Sequence, residues 1–132
     1  MRAAYSLNMK AIIFFGHGAR DLRWREPFDR LAALWQAQNP STPVELASLE
    51  LMQPSLSGAI QKIVTQGIKN IVVVPVFFGK GSHLRNDFPR ILEECRSEYS
   101  EISLSATPAV GENLLALQAI IDYADHSLND FL

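Results

Sequence analysis

Ile71-Val72-Val73-Val74-Pro75-Val76-Phe77-Phe78 is the most apolar run of the chain, and Gly79-Lys80-Gly81-Ser82-His83 follows it at once. The part from 71 to 77 reads as a strand. Its unbroken apolarity places it centrally, in a sheet that helices cover on both faces. Upstream, Pro54 opens a helix whose inward stripe is Leu56, Ile60, Ile63 and Val64 and whose stop is Gly67. Downstream, Pro89 to Tyr99 reads as a helix with Ile91, Leu92 and Cys95 inward, and Ile102 to Ala106 as the next strand. The same alternation extends to both ends. Ala11 to Phe15 and Val44 to Leu49 are strands, separated by a helix from Pro27 to Gln38 and the breaker Asn39-Pro40-Ser41-Thr42-Pro43; Gly111 to Ser127 closes the chain as a helix. Strands joined by single helices require right-handed crossovers. The predicted fold is therefore α/β: one doubly wound domain over residues 9–132, with a mainly parallel sheet of about four strands.

The bulk numbers agree with one soluble domain. There are 132 residues, 48% hydrophobic and 20% charged, with a formal net charge of -2. That charge leaves no footprint for nucleic acid or an anionic membrane. No apolar run approaches the roughly 20 residues needed to span a bilayer. The lone Cys95 excludes an internal disulfide and a cysteine zinc cluster, which fits a reducing compartment, the cytoplasm by default. Met9-Lys10 leads directly into the first strand, so residues 1–8 are expected to be a disordered extension.

Two glycine-flanked histidines stand where apolar strands run out: Gly16-His17-Gly18 and Gly81-Ser82-His83. In an open α/β sheet the ligand crevice lies beyond the carboxyl ends of the strands, so both imidazoles should meet on that edge. Glu50 ends the second strand on the same side. A single strand-end histidine is often only a hydrogen-bonded structural residue, and a glutamate before Pro54 often only favours the start of the next helix. Together, however, two imidazoles and a carboxylate without a thiolate suit a divalent metal with open positions: ferrous iron, cobalt, nickel or zinc. Asp87 is expected to cap a helix beginning near Pro89, and His126 to lie on the surface.

Three segments together resemble the short sirohydrochlorin chelatases, the single-domain class II chelatases of the CbiX/SirB-like kind. They are Phe15-Gly16-His17-Gly18-Ala19-Arg20; Leu49-Glu50 with Pro54; and Phe78-Gly79-Lys80-Gly81-Ser82-His83-Leu84-Arg85-Asn86-Asp87-Phe88-Pro89. The resemblance covers Met9 to about Ala124, and its most specific part is the block from Phe78 to Pro89. It implies ATP-independent insertion of cobalt or ferrous iron into sirohydrochlorin, a lyase activity serving cobalamin or siroheme synthesis. It also implies that His17, His83 and Glu50 bind the metal and act in catalysis, with no permanent cofactor. Ala19 stands where the family more often has serine. A carboxylate-rich tetrapyrrole would pair with Arg20, Arg23, Lys80 and Arg85, with Arg25 beside them, and Trp24 would pack against its ring. The chain carries no G-x-x-x-x-G-K-[ST] phosphate loop, in keeping with a reaction that needs no nucleotide. A tetrapyrrole is wide for one small domain, so a two-fold homodimer is expected. A metal carrier without enzymatic activity, and a phosphohydrolase using a strand-end histidine, are the other classes these residues allow.

Overall fold

A computed structural model describes residues 9–79 and 81–131, the side chains of residues 82–84 excepted. The expected extension over residues 1–8 lies outside the described residues. The chain runs β1 (Lys10–Gly16), α1 (Glu26–Gln38), β2 (Val44–Ser48), α2 (Leu56–Val64), β3 (Asn70–Pro75), α3 (Ser82–Glu98), β4 (Ser103–Ala106) and α4 (Leu114–Phe131). Single 3-10 turns cover Leu22–Arg25 and Val110–Glu112. Among the described residues there is one four-stranded sheet of order β2-β1-β3-β4, parallel throughout. This is the predicted α/β architecture, with β3 inside the sheet.

Side-chain alternation divides the sheet into two faces. Ala11, Ile13 and Phe15 of β1 lie in register with Ile71, Val73 and Pro75 of β3, and together with Leu104 they pack under α2 and α3. That side is the core. Leu56, Ala59, Ile60 and Ile63 of α2 and Phe88, Leu92 and Cys95 of α3 are at most 7% exposed. Phe15 stacks on Phe88 with ring centroids 5.2 Å apart.

The opposite face is covered in part. α1 covers the β1–β2 half, where Phe14 meets Trp35 edge-on and the Trp35 indole N–H donates to the Thr42 carbonyl (2.9 Å). Among the described residues the β3–β4 half has no such cover: Val72 and Val74 are half-buried and Ser103 and Ser105 are exposed. α4, the element that would complete a doubly wound layer there, buries none of its residues and packs chiefly against the 110–112 turn.

The start of α3 is corrected. The helix begins at Ser82 behind Gly81, not near Pro89, which stands inside it. Pro89 has no N–H to give the Arg85 carbonyl, but it lies on the exposed side of the helix. Asp87 is therefore not a cap. It lies within α3 and pairs with Arg90 at 3.7 Å.

Candidate metal-insertion site

The carboxyl edge is stitched together by backbone hydrogen bonds that continue past the strand ends. Leu49 N–H donates to the Gly16 carbonyl (2.8 Å), Glu50 N–H to the His17 carbonyl (3.1 Å) and Val76 N–H to the Phe15 carbonyl (2.8 Å). His17 and Glu50 therefore sit on paired backbones. Gly18 permits this closeness: its φ is +86°, and a Cβ there would lie 1.9 Å from the Glu50 carbonyl oxygen. Leu51, directly after Glu50, holds a φ of 70°, the left-handed region that a branched residue rarely occupies. Arg25 braces the same turn, donating from Nη1 to the Gln53 carbonyl (2.9 Å) and from Nε to Asp29 (3.2 Å).

His17 is exposed, with its ring 4.5 Å from that of buried Phe77. Buried Phe77 thus forms an apolar wall behind the imidazole. Glu50 is exposed as well. His83 lies in the first turn of α3, not in a free loop, so the crossover from β3 brings its backbone to the same edge. The side chain of His83 and all of Lys80 lie outside the described residues. Among the described residues no three His, Cys, Asp or Glu side chains gather as a metal site.

The expected cations separate into two kinds. Arg20 and Arg85 are exposed next to His17 and in the first turn of α3. Arg23 forms an ion pair with Asp21 (2.7 Å), which lowers the Asp21 carboxyl below its ordinary range and raises the guanidinium. Arg25 is committed to the Gln53 carbonyl and Asp29. Trp24 does not stand free either: it stacks on Phe28 (centroids 4.7 Å), and both rings close over Gly16, where a Cβ would lie 2.7–2.8 Å from them.

Three contributors were not read from the sequence. Gly16 keeps the aromatic pair against the strand end beside His17. Phe78 is 69% exposed at this edge, whereas its neighbour Phe77 is 4% exposed. Gly111 holds the segment leading to His83: its N–H donates to the Phe77 carbonyl (2.9 Å), and a Cβ on it would collide with the Phe78 backbone at 1.6 Å. Its only sequence signal was a glycine ahead of a helix, which also fits an ordinary turn.

The CbiX family model matches residues 11–127. The chain belongs to the CbiX family. Among its CbiX-type relatives, a sirohydrochlorin cobaltochelatase of Methanocaldococcus jannaschii is 37% identical over 64% of this chain and 59% of its own length. A chloroplastic sirohydrochlorin ferrochelatase of Arabidopsis thaliana is 30% identical over 89% of this chain and 52% of its own length. The matches thus span between half and three-fifths of these relatives. Among solved structures, a CbiX protein of cobalamin (vitamin B12) biosynthesis from Marinobacter aquaeolei VT8 superposes with a TM-score of 0.81 at 30% identity, covering 92% of this chain and 98% of the other. The sirohydrochlorin chelatase SirB from Bacillus subtilis subspecies spizizenii, solved with cobalt, shares the fold with a TM-score of 0.77 at 24% identity, over 93% of this chain and 51% of its own.

Proposed function

We propose that this CbiX-family chain is a lyase that inserts cobalt or ferrous iron into sirohydrochlorin or a related tetrapyrrole without a nucleotide. The observation that carries the reading is the pairing of the His17 and Glu50 backbones on the strand edge where α3 brings in His83. The named relatives act on sirohydrochlorin with cobalt or iron, and the donor set here suits the same ions. In this reading neutral imidazoles of His17 and His83 take the metal from its waters and leave positions open for the pyrrole nitrogens. Insertion replaces two pyrrole N–H protons by one divalent cation, so two protons must leave. Glu50 and the imidazoles are the acceptors at hand, imidazole having an ordinary pKa near 6.5. Arg20, Arg85 and Lys80 would pair with substrate carboxylates, and exposed Phe78 would offer apolar surface to the ring. Arg23 contributes less because Asp21 already holds it.

We also propose that the chain works as a two-fold dimer in the cytoplasm. One protomer presents His17 and Glu50 exposed at the carboxyl edge of the sheet. This chain matches 51% of SirB, which leaves length there for a second unit of this size. The cytoplasmic assignment rests on Cys95, a free buried thiol that fits a reducing compartment.

The test is anaerobic mixing with sirohydrochlorin and cobalt or ferrous iron, followed by the visible spectrum. Acceleration over the metal-only control is expected, with at least a tenfold loss in His17→Ala and in Glu50→Gln. Metal binding without any acceleration would indicate a carrier and overturn the reading.

A further inference from the structure

The segment between β2 and α2 that carries Glu50 holds a shape its own residues would not choose. Leu51 has a φ of 70°, a region that a branched residue occupies only where its surroundings impose it. Those surroundings are unevenly spread. Ahead of Leu51 the backbone is fixed to the end of β1, through Leu49 N–H on the Gly16 carbonyl and Glu50 N–H on the His17 carbonyl. At the base, Ser48 N–H donates to the Pro54 carbonyl (2.9 Å) and closes residues 49–53 into a loop. On the far side support is sparse. Among the described residues, Leu51, Met52 and Gln53 take part in one hydrogen bond, from Arg25 Nη1 to the Gln53 carbonyl (2.9 Å).

Arg25 is itself held in place. It ends the 3-10 turn Leu22–Arg25 and is half-buried, and its Nε donates to Asp29 Oδ1 (3.2 Å) in the first turn of α1. Its neighbour Trp24 stacks on Phe28 and lies against Gly16, so the turn is docked on the end of β1 and reaches from there to the loop after β2. A guanidinium suits this task, because its rigid fork of donors engages two acceptors at once and stays charged. Both acceptors are oxygens of this chain. Arg20 and Arg85, by contrast, are exposed at the edge.

We infer that Arg25 is a positioning residue for Glu50: by holding the Gln53 carbonyl it keeps the strained turn closed and the carboxylate on the edge shared with His17, and it touches neither metal nor tetrapyrrole. This rests on the role proposed for Glu50 above. Without the guanidinium, Leu51 relaxes toward an ordinary negative φ, and that rotation pivots the chain directly beside Glu50. A displacement of about 1 Å at a reacting group costs up to roughly a hundredfold in rate.

The test is a cycle of Arg25→Ala, Glu50→Gln and the double variant in the full chain, read by steady-state insertion of cobalt into sirohydrochlorin and by titration of cobalt alone. Arg25→Ala is expected to lower kcat at least about tenfold with the KM for sirohydrochlorin within about twofold of the wild type. It should weaken cobalt binding as Glu50→Gln does, and add nothing in either measurement once Glu50 is glutamine. Losses that multiply in the double variant overturn the proposal, since Arg25 would then act by another route. A raised KM with kcat unchanged also overturns it and makes Arg25 a ligand for substrate carboxylates. If the wild type binds cobalt without accelerating insertion, the chelatase reading falls and the cobalt titrations alone decide on Arg25; if it does neither, both fall. If Arg25→Ala fails to fold, Arg25→Lys decides by the same cycle, because an ammonium offers one point charge in place of the fork. A lowered kcat with KM unchanged then supports the proposal, and wild-type values or a raised KM overturn it.

Discussion

At the scale of single residues, glycines and one thiol show how closely the site and core are built. Gly18 and Gly67 have nearly the same positive φ, +86° and +84°, but a Cβ on Gly67 meets nothing within 4 Å, whereas one on Gly18 strikes the Glu50 carbonyl. Gly67→Ala should therefore cost about 1 kcal/mol of stability, the conformational penalty alone, and Gly18→Ala at least about 2 kcal/mol. Urea titrations of the two variants measure the difference, and equal losses would contradict the close approach. Cys95 is buried under α3, and burial with nearby Glu98 and Glu94 pushes its thiol up to about 11 from an ordinary 9.0. A pKa raised by folding means that this contribution to stability is fully present below pH 9 and is lost as pH rises through 11. The urea midpoint of the wild type should accordingly fall more between those values than that of Cys95→Ala. Parallel curves would refute it.

At the scale of elements, much of the architecture was legible because apolar period and breaker residues follow local rules. The stripe Leu56, Ile60, Ile63 and the inward set Leu92, Cys95 are buried as the spacing requires. α3 was misread at its start because proline favours a first helical turn, while the real start is marked by Gly81, which has no side chain with which to cap. In the site, Gly-His-Gly motifs and strand ends located His17 and Glu50, since the edge follows from topology. The roles of Gly16 and Gly111 depend on rings and carbonyls distant in sequence, and no local pattern encodes them. Likewise Arg23 and Arg25 look alike as text, but Asp21 engages one and the Gln53 carbonyl the other. Asn113 marks the true start of α4, accepting from the Leu115 and Ala116 amides at 2.9 and 3.3 Å. Asn113→Ala should lower stability by about 1 kcal/mol with reduced ellipticity at the helix minimum, and Asn113→Asp should restore it. A thermal melt unaffected by the alanine would count against that cap.

At the scale of the whole molecule, the parallel sheet presents His17, Glu50 and the start of α3 along one edge. On the face opposite the core, the described residues leave the β3–β4 half without a covering helix, and α4 buries none of its residues. The central claim is metal insertion at the His17–Glu50–His83 edge, and the most direct measurement is the anaerobic initial rate of the spectral change of sirohydrochlorin with cobalt. The account predicts a rate well above the metal-only control in the wild type and close to that control in His17→Ala/His83→Ala. Equal rates in the wild type and this double variant would contradict it.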